Sequence, residues 1–309
     1  MQLDAKTCWT VAAIAGLAAV PALFPGYLTS LATLTLIYAL LAMSIDILAG
    51  YAGRTPLCHG AIFGTATYVV MYSVTTAGGN PWLAALYGVG AALAVSLVFA
   101  LLAVRTQGVY FLLLTLALGM VVWGVCQRWT SVTGGENGLR GTARPPVIAD
   151  PVHFYYFVLV VGLLSAWLMW RFVKSPFGLS LRGIRESESR MRSLGYHTTL
   201  HLLIGFLFSG LVAGISGVLY AYFNSFVSPS TVALAQSVKG LLMAIVGGIG
   251  TLFGGVVGAV VIIFLENVVS SFTERWSMVL GGLFVLTMIF APEGIVGRVR
   301  RLLTRWRRR

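Results

Sequence analysis

Three long apolar runs, 82–104, 109–129 and 152–173, constrain this chain more than anything else in it. Each matches or exceeds the ~20 residues that carry a helix across a bilayer core. The strands of a membrane barrel would alternate apolar and polar residues, and these runs do not. A water-soluble alternative fails on charge. Only 21 basic and 9 acidic residues occur among 309, or 10% against about 25% in an ordinary soluble domain. Such a chain cannot clothe itself in charge. The expected fold is an all-α polytopic membrane protein, with residues 1–309 forming a single transmembrane domain.

Spans are expected at 9–28, 31–50, 57–77, 82–104, 109–129, 152–173 and 201–223, with a last one at 278–296. The first follows Lys6, is broken by Pro21 and Pro25, and reads as a retained span rather than a cleaved leader. Residues 237–265 are too short for two crossings, and 246–259 hold six glycines in 14 residues. A single crossing there would leave the tail 297–309, with its seven arginines, outside, against the tendency of basic residues to stay in the cytoplasm. A re-entrant or broken segment restores the balance, with 16 basic residues inside and 5 outside, Lys239 among the latter. The expectation is eight crossings, one broken glycine-rich segment and both termini cytoplasmic. The net charge of +12 therefore serves orientation, and no nucleic-acid partner is expected.

Against this sparse background, "SPFGLSLRGIRESESRMRSLGYH" (175–197) holds four arginines and two glutamates. Ser175 suits a helix cap with Pro176 in the first turn, and Gly195 suits a stop. Leu181, Ile184, Met191 and Leu194 fall on one face of a helix, and Arg182, Arg185, Ser189 and Arg192 on another. The stretch is expected to be one short amphipathic helix within a cytoplasmic loop, 174–200. Whether it lies on lipid or grips a partner is open from periodicity alone.

Glycine-interrupted spans point to transport sites. Two regions qualify, 50–68 and 246–259, with Gly50, Gly53, Gly247, Gly248, Gly250 and Gly254 as candidates to line a path or to pack helices closely. Asp46 and His59 are ionisable groups at membrane depth, where such groups are costly and usually functional. Asp46 also lies within reach of Arg54 as an ion-pair partner, and His59 could be satisfied between helices. Glu136 and Asn137, in "TGGENGL" (133–139), form a polar external turn or a dock for another protein. Glu266-Asn267 and Glu274-Arg275 are expected on the same outer face. His197 and His201 have i, i+4 spacing but no third ligand nearby, so no metal site is expected. Cys8, Cys58 and Cys126 are too far apart for a paired metal motif.

The chain resembles the permease subunits of the branched-chain amino acid ABC transporters, specifically the LivM-like subunit. The resemblance rests on "GYAGRTPLCHGAIFGTATY" (50–68), "TQGVYFLLLTLALG" (106–119), "TGGENGL" (133–139), "SPFGLSLRGIRESESRMRSLG" (175–195), "FVSPS" (226–230), "VGGIGTLFGGVVGA" (246–259) and "FAPEGIVG" (290–297). It implies a multi-pass protein of the bacterial inner membrane carrying small solutes, with residues 175–197 as the coupling helix that docks on a cytoplasmic ATPase. Arg182, Arg185, Glu186, Glu188, Arg192 and Gly195 are the implied coupling residues. Glu188 and Gly195 fit the family pattern, while Arg190 and Met191 stand where small residues are usual. Asp46 replaces the family's usual asparagine, and Thr55-Pro56-Leu57-Cys58 replaces Leu-Ser-Leu-Gly. The implied partners are a second, LivH-like permease, two ATPase subunits and an external solute-binding protein. The sequence has no phosphate-binding G-x-x-x-x-G-K-[ST] loop, so ATP would be bound by those subunits, with no cofactor and no catalysis in this one. The rival reading is a proton-coupled secondary transporter working through Asp46 and His59.

Overall fold

A computed structural model describes residues 16–22, 26–272, 278, 281, 282, 285 and 294–298. The chain is an all-α polytopic membrane protein, and among the described residues six helices are long and apolar enough to cross a membrane. The principal helices are α1 (Tyr27–Asp46), α2 (His59–Thr75), α3 (Pro81–Ala103), α4 (Gly108–Arg128), α5 (Pro151–Lys174), α6 (Pro176–Glu186), α7 (Glu188–Ser193), α8 (Thr198–Asn224), α9 (Leu234–Gly247) and α10 (Gly254–Ser270). The expected last span and basic tail fall mostly outside the described residues, as does half of the first span.

Three helices begin with the same device. Asn80, Asp150 and Ser175 each precede a proline, and their side chains accept hydrogen bonds from the backbone N–H groups of Trp82, Val152 and Gly178. A short polar side chain satisfies an orphan donor while proline fills the position that needs none.

Burial sorts the helices into centre and periphery. In α1 with its extension to Tyr51, 72% of the most apolar window is buried, and in α8 67%, against 22–33% in α3, α4 and α5. The outer helices turn Leu86, Leu101, Leu113, Val121, Val160 and Trp167 outward, as helices bathed in lipid should. Inside, small residues on α8 let neighbours approach. A Cβ on Gly214 would lie 2.6 Å from that of Ala92, and one on Gly217 would collide with the Phe63 carbonyl. Buried hydroxyls tie the same seams. Ser216 donates to the Ile37 carbonyl at 2.7 Å and Thr67 to the Gly217 carbonyl at 2.9 Å.

Two departures from helical regularity give the bundle its character. First, α1 ends in a π turn, Ile47–Tyr51, followed by non-helical backbone to Cys58, so α2 is only 17 residues long. Apart from Gly53 and Thr55 this irregular segment is buried in protein, where Leu57 N–H donates to Thr115 Oγ1 at 3.1 Å. That is the condition under which such backbone survives at membrane depth. Second, the glycine-rich segment is a helical hairpin. α9 and α10 pack together, and the chain reverses over 248–253 at the end of the bundle that also carries Arg54, Arg185 and Glu188, termed here the arginine end. At the opposite end Leu139–Arg140 (β1) pairs antiparallel with Phe226–Val227 (β2), Leu139 facing Val227. The motifs "TGGENGL" and "FVSPS" thus meet in one small ribbon.

Candidate functional site

The charged stretch folds as two helices, where one was expected. Ser187 adopts an extended conformation, ends α6, and caps α7 by accepting from Arg190 N–H at 3.3 Å. The cap diverts the chain, so the expected apolar face holds only in α6. Leu181 and Ile184 are buried against the bundle, Met191 packs on Gly183, and Leu194 is 66% exposed. Ser175, Pro176 and Gly195 act as expected, and Gly195 takes a positive φ of 85° that a side chain would resist.

Glu188 points inward and is the hub of this end. Its Oε2 accepts from Arg54 Nη2 at 2.6 Å and from Gln107 Nε2 at 2.8 Å. Its Oε1 accepts from Arg192 Nη2 at 2.5 Å and from Thr198 Oγ1 at 3.3 Å. One carboxylate thereby joins the post-α1 segment, the α3–α4 connector, α7 and the start of α8. Burial lowers the Arg54 pKa, and the Glu188 charge opposes that shift; an arginine stays cationic either way. Arg182, Glu186, Arg190 and Arg192 remain exposed around the hub.

A second linkage runs from α6 to the hairpin. Arg185 donates through Nη1 to the Gly50 carbonyl, Arg182 lies 4.8 Å over the ring of Tyr51, and Gly53, with φ 68°, packs under the Arg185 side chain. Gly50 in turn touches the hairpin reversal, since a Cβ there would lie 2.5 Å from Gly250 N. Asp46 completes the joint. It is 1% exposed, and its two oxygens accept from Gly250 N–H at 2.6 Å and Leu252 N–H at 2.9 Å. Asp46 therefore pairs with backbone, and Arg54, its expected partner, is engaged by Glu188. Between α6, the π turn and Gly250 lies a polar cleft of about 280 Å³.

The remaining candidates divide. Gly247 and Gly254 press against each other across the hairpin, so these glycines serve close packing. His59 is fully buried and 2.7 Å from Ser209 Oγ, whose hydroxyl donates to the Ser44 carbonyl at 2.5 Å. With its one proton so used, Ser209 accepts from His59 Nε2–H. His201 accompanies no metal cluster among the described residues; it stacks on Phe177 at 4.9 Å. Glu136 and Asn137 are exposed on a tight turn, and Glu136 accepts from Gln127 at 2.7 Å.

Lys239 and Glu266 lie within α9 and α10 and face each other across the hairpin, Nζ to Oε2 at 2.5 Å. Hydropathy windows cannot distinguish a charge at a helix end from one paired within it. Glu274 and Arg275 lie outside the described residues. Gln107, Thr198 and Tyr38 were not singled out from the sequence, and Arg54 was named only as a partner for Asp46. Arg54 alone carried a local signal, as a solitary cation in an otherwise uncharged connector.

The family described as "Branched-chain amino acid transport system / permease component" matches residues 27–288. Among curated proteins, the high-affinity branched-chain amino acid transport system permease protein LivM of Salmonella typhimurium is 30% identical over 301 residues, covering 87% of this chain and 70% of its own. LivM of Escherichia coli is 27% identical with the same coverage. LivH of Escherichia coli, a permease protein of the high-affinity branched-chain amino acid transport system, is 24% identical across 86% of this chain and 93% of its own. With a match spanning most of the bundle just described, this chain belongs to the family of branched-chain amino acid transport permease components.

Proposed function

We propose that this chain is one of two permease subunits of an ATP-driven importer in the bacterial inner membrane, carrying branched-chain or related amino acids. In this reading the arginine end is cytoplasmic, the bundle crosses eight times with the hairpin entering from outside, and both termini are cytoplasmic. A LivH-like permease, two ATPase subunits and an external solute-binding protein complete the assembly. ATP is bound by the ATPases alone, and this subunit is not an enzyme.

One observation carries the mechanism: α6 and α7 are joined to the transport bundle by two separate polar linkages. Arg182, Glu186, Arg190 and Arg192 offer charge to an ATPase groove, with Gly195 as the hinge at the loop's end. Glu188 transmits force inward, to Arg54 and Thr198. Arg185 pulls on Gly50, and through Asp46 the π turn is fastened to the reversal at Gly250. When the ATPases close, displacement of α6 shifts the π turn and the hairpin together. The seam of Asp46, Gly50, Gly53, Gly247, Gly248, Gly250 and Gly254, packed shut here, then opens toward the solute, with His59 behind it. Glu136 and Asn137 face the binding protein. The proton-coupled alternative has no support: Asp46 and His59 are committed to different partners, and the relatives are permease components.

The test is reconstitution of this chain with its partners in vesicles, measuring amino-acid-stimulated ATP hydrolysis and uptake. Removal of residues 182–195 is expected to abolish uptake while the remaining chain inserts; uptake that survives removal refutes the coupling role. Labelling of a Ser189→Cys variant in whole cells by an impermeant thiol reagent would reverse the orientation.

A further inference from the structure

The hairpin holds a second charged group, remote from the arginine end. Lys239 of α9 and Glu266 of α10 are ion-paired at 2.5 Å, with side chains 15% and 21% exposed. Lys239 Nζ also lies 4.4 Å over the ring of Tyr38. Tyr38 lies 11 residues into α1, roughly 16 Å along its axis from Tyr27, so the ammonium sits against a helix long and apolar enough to cross a membrane. The Tyr38 hydroxyl donates to Gln236 Oε1 at 3.1 Å, and its ring packs 6.0 Å from that of Tyr220 and 6.1 Å from that of Phe63.

Three facts set this group apart from an ordinary structural ion pair. Charges among membrane-spanning helices are costly, and they belong where they face a partner or a water-filled path rather than lipid. The pair lies under a thin cover: Glu266 Oε2 is buried, both side chains retain partial exposure, and Ala235, one turn before Lys239, is exposed. An apolar pair of similar size would hold α9 to α10 at least as well, because desolvation offsets much of a buried ion pair's attraction. A cation on an aromatic face beside a carboxylate is instead the complement of a zwitterion. The solute's carboxylate meets Lys239, its ammonium meets Glu266 and the ring of Tyr38, and each charge exchanges one partner for another without being left bare.

We infer that Lys239, Glu266 and Tyr38 form a transient binding site for the charged head of a zwitterionic α-amino acid on its way across the membrane. This rests on the importer reading and adds to it the solute's charge pattern and a place in the hairpin. The ion pair closes the site when empty, and a solute opens it by substituting for both halves.

The experiment uses the complete complex in vesicles, with L-leucine as the probe and uptake driven by ATP. The variants are Lys239→Met, Glu266→Gln, the two combined, and the exchanged pair Lys239→Glu with Glu266→Lys. Loss of one charge-assisted contact should lower uptake at sub-saturating leucine by roughly tenfold or more, mostly through a raised KM. The exchanged pair restores a salt bridge but reverses the head group's orientation, so it should stay defective. The combined neutral variant leaves no unpaired charge and should assemble at wild-type abundance. Leucine uptake within twofold of wild type by the neutral or exchanged pair would overturn the inference, as would failure of the combined neutral variant to assemble, which would make the pair a structural strut. Failure of the wild-type complex to import any amino acid would instead overturn the importer reading.

Discussion

Asp46 and Glu188 are two inward-facing carboxylates at the same end of the molecule, and they are satisfied in opposite ways. Asp46 accepts only from backbone, the N–H groups of Gly250 and Leu252 in the hairpin reversal. Glu188 accepts only from side chains: two arginines, a glutamine and a threonine. A carboxylate bound to a turn defines that turn's shape, because the turn's donors have few alternatives. A carboxylate bound to long side chains can keep its partners while the elements carrying them slide. The hairpin joint is therefore built to be rigid and the α6–α7 joint to be compliant, as expected where a partner's motion must be received before it is passed on.

Predictions follow that contrast from its largest consequence. Asp46→Ala leaves two N–H groups without acceptors and should destabilise the purified protein by roughly 2–5 kcal/mol, read as a drop in thermal midpoint in detergent. Asp46→Asn keeps one acceptor and should cost about half as much; equal losses in the two variants would mean that the carboxylate does not shape the turn. Gly50→Ala places a methyl 2.5 Å from Gly250 N, an overpacking expected to cost about 1–3 kcal/mol. Its uptake should fall with stability, and a fully active Gly50→Ala complex would show that the two segments need not touch. For the compliant joint, a double-mutant cycle on Arg54 and Glu188 should give a coupling of only about 1 kcal/mol, because Arg192 and Gln107 remain as partners. Glu188→Ala should nevertheless cut leucine uptake more than it lowers the thermal midpoint, separating coupling from stability. Glu136→Gln keeps its bond from Gln127 and should shift stability by less than ~0.5 kcal/mol; its interest lies in whether the binding protein's stimulation of ATP hydrolysis weakens.

Much of this was legible where the determining physics is local. The Asn80-Pro81, Asp150-Pro151 and Ser175-Pro176 pairs mark helix starts, Gly195 marks a stop, and six glycines in 246–259 announce a break in the eighth apolar segment. The site was legible in its residues but not in its pairings. Arg54 and Glu188 are 134 positions apart, and Asp46 and Gly250 are 204 apart. Neither carries a periodicity that selects the other. The split at Ser187 was hidden because its neighbours all tolerate helix, and only its acceptance of the Arg190 N–H, capping α7, makes the break. The pairing of Lys239 was hidden for a different reason: its charge is compensated by Glu266 on another helix, which a window along one segment cannot register.

One described feature ties both faces of the membrane together. α8 begins at Thr198, bonded to Glu188, and ends at Asn224, two residues before the strand that pairs with Leu139–Arg140. Its 27 residues form a strut of about 40 Å, pinned by side chains at one extremity and stitched by backbone at the other. Such a strut cannot tilt at its charged foot without swinging the ribbon at its far tip. In the importer proposed above, arrival of cargo at the mouth and the power stroke below it would then be two readings of a single displacement, available to the machine in either direction.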